Sequence, residues 1–147
     1  MSSTVGFPHV LAAVLVLGLP IAFVTIWSLV CALIAKVSGY RSLAKFRIDP
    51  AAATEGESLP TSQVAWIGAS RYRGGILKLH ASASGLALRI PRIFLFHPPV
   101  RVPWDRTRED AEPGFFGPSM LLDDRVRLRV PAETLAAIRD ARARYGG

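Results

Sequence analysis

From Val10 to Ala35 the chain reads VLAAVLVLGLPIAFVTIWSLVCALIA, a run without a charged side chain. Beyond it the pattern changes to short alternations of apolar and polar residues, broken by prolines and glycines. At ~1.5 Å of rise per residue the run more than covers the ~30 Å hydrocarbon core of a bilayer. Fifteen of its residues are Leu, Ile, Val or Phe. Their gross insertion free energy is on the order of −7 kcal/mol, which Thr25, Ser28 and Pro20 erode without reversing. The pattern predicts one transmembrane helix over residues 10–35, after a short extracytoplasmic segment, residues 1–9.

A cleaved signal peptide is the competing reading. It wants a basic n-region, an apolar stretch of ~7–15 residues and small residues at the cleavage site. Here no Lys or Arg precedes the run, the run is too long, and Leu33 stands where a small residue is needed before Ala35. Val30 before Cys31 is too bulky for a lipoprotein site, so Cys31 reads as a buried, inert thiol. Orientation follows from the flanks: Lys36, Arg41, Lys45 and Arg47 come directly after the run. Basic residues beside a span stay on the cytoplasmic side. The expectation is therefore an inner-membrane protein with its N-terminus outside and residues 36–147 in the cytoplasm. Gly18/Ala22 and Ser28/Ala32 have the small-xxx-small spacing that lets helices approach, although small residues are common in any anchor.

Residues 36–63 read as a juxtamembrane helix and linker. In SGYRSLAKFR (38–47), Tyr40, Leu43, Ala44 and Phe46 suit the headgroup level, with Arg41, Lys45 and Arg47 reaching phosphates; the plainer reading is a frayed end of the anchor. Residues 49–63, with Pro50 and Pro60, have loop composition. From Val64 the period becomes two. Leu77 and Leu79 alternate with Lys78 and His80, Leu86, Leu88 and Ile90 with Ala87 and Arg89, Val100 and Val102 with Arg101. In RVRLRV, Val126, Leu128 and Val130 face one way and Arg125, Arg127 and Arg129 the other. These are half-buried antiparallel strands. Gly74-Gly75 reads as a tight turn between two strands, and residues 105–119 as a charged, then Gly/Pro-rich loop. Pro131 and Glu133 open a C-terminal helix with Leu135, Ile138, Arg142 and Tyr145 on one stripe. The expected fold class is α+β: the transmembrane helix, then residues 64–147 as a mainly antiparallel β-sheet or barrel closed by a C-terminal α-helix.

The 147-residue chain carries a net charge of +7, and every Lys, Arg, Asp and Glu follows residue 35. Near a membrane a basic surface is drawn to anionic headgroups, by roughly 1 kcal/mol per charge at the surface. A tethered domain rarely meets nucleic acid, so none is expected as a partner. His80 and His97 lack the spacing of a metal site, and the single cysteine gives neither a disulfide framework nor a zinc site. Asp105, Glu109, Asp110 and Glu112 alternate with Arg106 and Arg108, which suggests ion pairs rather than a held acid/base pair. No enzyme activity, metal or cofactor is expected. Phe115 and Phe116, between Gly114 and Gly117, suit a lid on the core, or else insertion into a lipid interface or a partner groove.

SGLAL at 84–88, the Phe94–Phe96 segment read as a strand, and HPPVRVPW at 97–104 resemble the pleckstrin-homology superfamily, including GRAM-type domains. The whole chain resembles small bacterial single-pass proteins in which an SGY…LA…R segment follows the anchor and a PH-like domain follows that. Thr107 departs from the pattern, which has an aliphatic residue after the Pro-Trp step. The resemblance implies a fold rather than an activity. It also likens Arg71, Arg73 and Lys78, around Gly74-Gly75, to the basic first hairpin with which PH domains grip lipid headgroups. The function expected is a non-enzymatic, membrane-tethered module that presents a face to a protein partner or the membrane surface. The alternative is a sensor of anionic headgroups. Partners expected are the bilayer, anionic lipid at Arg71, Arg73, Lys78, Arg41, Lys45 and Arg47, and a membrane protein at Phe115 and Phe116.

Overall fold

In a computed structural model, residues 7–61, 63–111 and 117–147 are described, the first four as backbone alone. Phe115, Phe116 and Glu112 lie outside the described residues. The apolar run becomes helix α1, Phe7–Val37, continuous through Pro20. Thr25 and Ser28 donate their hydroxyls to the carbonyls of Ile21 and Val24, at 2.8 and 2.7 Å. Neither then needs a partner outside the helix, as lipid requires. Leu11–Val37 is long and apolar enough to cross a bilayer, and only 6% of its most apolar window is buried. A core helix of a soluble domain hides one side; here every side chain from Leu11 to Ile26 is exposed.

Among the described residues the chain then forms β1 (Glu57–Ser58), β2 (Val64–Ile67), β3 (Ser70–Arg73), β4 (Lys78–Ser82) and β5 (Gly85–Arg89). Next come β6 (Val100–Val102), β7 (Thr107–Glu109), β8 (Met120–Leu122), β9 (Val126–Arg129) and helix α2 (Ala132–Tyr145). The strands make two antiparallel sheets, β1-β4-β5-β6 and β3-β2-β9-β8-β7. The architecture is thus α+β as the pattern predicts, but the sheets stay open rather than closing on themselves. Between them Leu79, Leu88, Val100 and Val102 meet Ile67, Met120, Leu122 and Leu128, with Leu135 and Ile138 of α2 in the same core.

Alternation holds where one face of a strand meets water. Strand β9 buries Val126 and Leu128 and leaves Arg127 and Arg129 half-exposed. It fails in β5, where Leu86, Ala87 and Leu88 are all buried. The cause is the segment read as linker: it forms a 3₁₀ turn, Ala52–Thr54, that buries Ala53. The Arg101 guanidinium donates to the Ala52 carbonyl and fixes that turn over the sheet. Residues 49–59 are part of the fold, and Leu59 belongs to the core.

Four further expectations change. The juxtamembrane helix exists as a 3₁₀ helix, Tyr40–Phe46, but it buries Tyr40 and Leu43 in the domain rather than at headgroup level. The charged stretch after Trp104 contains strand β7, pairing Thr107, Arg108 and Glu109 with Leu122, Leu121 and Met120. Thr107 opens it: the side chain is buried with its hydroxyl donated to the Trp104 carbonyl at 2.8 Å, so no aliphatic residue is required. Gly74 and Gly75, at φ 69° and 67°, do not join a hairpin. They turn the chain from one sheet into the other, since β3 and β4 belong to different sheets. On α2 the buried stripe is Thr134, Leu135, Ile138 and Ala141; Tyr145 is exposed.

Gly68, between β2 and β3, sits at φ +55° where an added Cβ would lie 2.3 Å from the Ser38 carbonyl oxygen. Gly74 shares the left-handed backbone with open space around it. Gly74→Ala therefore meets only the backbone penalty, about 1–2 kcal/mol. Gly68→Ala meets that and a clash with the Ser38 backbone, and is expected to lose about 2–4 kcal/mol. Equilibrium unfolding of the two variants in detergent micelles checks the difference.

Candidate functional site

The end of α1 is where the apolar helix becomes part of the domain. Trp27 is half-buried, and Cys31, Ala35 and Ser38 are buried, four positions that recur every three or four residues on one helix side. Small side chains at three of them let the domain approach. Ser38 caps the junction: its hydroxyl donates to the Ala35 carbonyl at 3.3 Å and accepts the Tyr40 amide at 3.2 Å. Trp27 reaches sideways, its Nε1–H donating to the Ile93 carbonyl at 2.9 Å.

Ile93 lies on the connection from β5 to β6. Phe94–Phe96 were expected to form a strand; residues 91–99 are instead a loop without a sheet partner. The reason is local. Pro91, Pro98 and Pro99 have no amide hydrogen to offer a ladder, and the Phe94 amide closes a turn onto the Pro91 carbonyl at 3.0 Å. Phe94 packs inward between Trp27 and His97, with ring centres 6.1 and 6.4 Å away.

His97 ties the loop to the rest. Its Nδ1 lies 3.0 Å from the Leu95 carbonyl, which only accepts, so Nδ1 carries the proton. Nε2 then accepts from the Tyr72 hydroxyl at 3.1 Å. The Tyr40 ring packs at a tilt with its centre 5.0 Å from that of the imidazole, and its hydroxyl donates to the Pro98 carbonyl at 2.8 Å. Burial, with Tyr72 close by, pushes the Tyr40 phenol well above its ordinary pKa. Burial raises Tyr72 too, with the Ser38 side chain acting in the opposite direction. Both stay protonated donors. Burial lowers the pKa of His97, partly offset by its backbone hydrogen bonds to Leu95 and Phe94, which favour the charged form.

The six basic residues singled out from sequence have separate neighbours. Arg71 lies over the Trp66 ring at 5.4 Å, on edge strand β3. Arg73, on the same strand, is exposed. Lys78, on the other sheet, is 3.4 Å from the Thr61 hydroxyl. Lys45 pairs with Asp123, which Arg106 also approaches. Arg41 is exposed on the 3₁₀ helix. Arg47 lines a groove with Arg92, Ile90, Phe94, Phe96 and Pro98, beside the end of α1. Sequence reasoning missed Arg92 and the loop around it. The available signal was IFLF set between Pro91 and Pro98-Pro99.

Most of the described carboxylates are engaged with bases. Glu109 takes Arg139 in a two-point pair at 2.8 and 2.9 Å. Asp110 pairs with Arg127, Asp124 with Arg108 and Glu57 with Arg144. Among the described residues no three His, Cys, Asp or Glu are grouped to hold a metal ion. No family model, curated protein or solved structure matches the chain.

The direction of the His97 shift fixes a pH dependence. Below the ordinary histidine value of 6.5 the unfolded chain binds a proton that the folded chain resists. Stability is therefore complete above that value and declines as pH falls toward the folded pKa. His80 is lowered in the same direction by burial, Arg89 and Arg101. Unfolding midpoints of the wild type and His97→Gln, compared between about pH 7 and 5, should show a shallower fall in the variant, with lower stability at neutral pH.

Proposed function

We propose that the chain is a single-pass protein of the bacterial inner membrane, N-terminus outside, whose PH-like cytoplasmic module is held against the membrane surface. The module is non-enzymatic and offers a sheet face and loops to a protein partner or to the leaflet. One observation carries this reading: α1 leaves Leu11–Ile26 uncovered while its last turns, at Cys31 and Ala35, are fully buried in the domain. A helix removed as a signal sequence would take part of the interior with it. The excess of basic residues just after the helix, Lys36, Arg41, Lys45 and Arg47, favours the cytoplasmic side for the module.

A second reading, recognition of an anionic headgroup, draws support from Arg47 and Arg92 sharing one apolar-walled groove. Two guanidinium groups there suit a phosphate, whereas Arg71, Arg73 and Lys78 are split between two sheets.

Orientation is checked by single cysteines, Ser3→Cys and Ala143→Cys, each in a Cys31→Ala chain. In intact spheroplasts an impermeant maleimide is expected to label the first and spare the second; the reverse result sinks the topology. Native mass spectrometry from nanodiscs holding equal amounts of two anionic lipids separates the readings. A tethered module retains both alike. A headgroup sensor retains one, and Arg47→Gln with Arg92→Gln should cut that retention at least about tenfold, the loss of one charge-assisted contact or more.

A further inference from the structure

Outside α1, the exposed large apolar side chains among the described residues are Ile93 at 65%, Leu95 at 40%, Phe96 at 55% and Tyr145 at 37%. Three of these four stand on one loop. Phe94, in their midst, turns inward, so the loop does not lack an inner face; it shows a second apolar face outward. Such a cluster in a monomer marks a contact surface.

Its position says with what. The Ile93 carbonyl is bonded to Trp27, inside the apolar helix. Trp27 stands nine residues before Lys36, the first charge after the run, or ~13 Å along the axis. Counted from Val10, the first residue past His9, a ~30 Å hydrocarbon layer takes ~20 residues and ends near Leu29. Trp27 then lies just inside that boundary, the level where Trp is enriched. A tilted helix places it deeper still. Whatever is bonded to Trp27 shares its depth.

Charge and rigidity agree with this. Arg92, within the loop, and Arg47 line one groove together with Phe96 of the exposed cluster. Guanidinium groups beside exposed apolar side chains are a combination found in elements that enter an interface. The loop is also held in shape before any contact, by Pro91, Pro98, Pro99 and the His97 bonds to Leu95 and Tyr72. Phe96 adopts φ +65°, uncommon for a residue with a side chain.

Resting on the anchor reading, we infer that Ile93, Leu95 and Phe96 form a wedge that enters the acyl-chain edge of the leaflet holding the C-terminal half of α1. The protein then meets the bilayer at two elements, and the second fixes how the domain leans on the surface.

The test uses the full chain in lipid nanodiscs, in a Cys31→Ala background, with one nitroxide-labelled cysteine at a time. Ile93→Cys, Leu95→Cys and Phe96→Cys report on the wedge, Val24→Cys on the anchor, and Ala83→Cys, in the β4–β5 turn, on water. All five sites are exposed, and near-ultraviolet circular dichroism against the unlabelled chain selects folded samples. Power saturation compares oxygen, which concentrates in lipid, with a water-soluble nickel chelate. The wedge predicts oxygen-to-nickel ratios at 93, 95 and 96 severalfold above Ala83→Cys and approaching Val24→Cys. Ratios like Ala83→Cys, with Val24→Cys reading lipid, overturn the wedge and leave the anchor standing. Low access to both reagents at 93–96 overturns it in favour of a second copy covering the loop. A water-like reading at Val24→Cys removes the anchor and the wedge together.

Discussion

Where an apolar helix runs into a folded domain, its last turns exchange lipid for protein, and only small side chains at the contact let a sheet come near. Cys31, Ala35 and Ser38 provide that on the helix, and Gly68 provides it on the β2–β3 turn. The Gly68 amide meanwhile donates to the Arg127 carbonyl at 2.8 Å, which keeps the turn in the ladder with β9. Much of the rest follows from this close approach. The chain must turn sharply after Ser38, the 3₁₀ helix must bring Tyr40 and Leu43 into the core, and His97 must meet Tyr40 and Tyr72 where the sheets and the helix end converge.

The charge layout has a similar economy. Acidic side chains are few and most described ones are engaged, as with Glu109, Asp110, Asp123 and Asp124. The Glu109 and Asp124 pairs are exposed and worth about 0–1 kcal/mol each, whereas the Asp110 and Asp123 carboxylates are buried. Among the described residues this leaves positive charge without a salt-bridge partner elsewhere, at Arg41, Arg47 and Arg92 and at Arg71 and Arg73 on the edge strand β3. On a chain of +7, that distribution matters more than the total.

Elements with a strong internal period were readable from sequence. The charge-free run gave α1, RVRLRV gave β9, and Pro131 with Glu133 gave the start of α2. What escaped was set by partners distant in sequence. Strand β7 has no apolar alternation, and its pairing depends on Leu121 and its neighbours. The 3₁₀ turn at Ala52 is held by Arg101, about fifty residues later. FLF reads as a strand because it is apolar and aromatic, yet the prolines around it prevent a ladder and Trp27, from another element, binds the carbonyl of Ile93 just before it. At the candidate site the basic residues could be named in advance, but not their grouping, because Gly74-Gly75 change sheets rather than closing a hairpin. Arg92 stands alone in sequence between Pro91 and Ile93, with nothing local to tie it to Arg47.

The helix and the domain are separated by only Ser38 and Gly39, and the segment after them is itself packed into the core. There is no slack between α1 and the domain. A domain on a flexible linker sweeps a volume and raises the local concentration of its surface throughout that volume. If α1 anchors the chain as proposed, the domain sweeps only a plane, and its encounters with any partner are governed by diffusion within that plane.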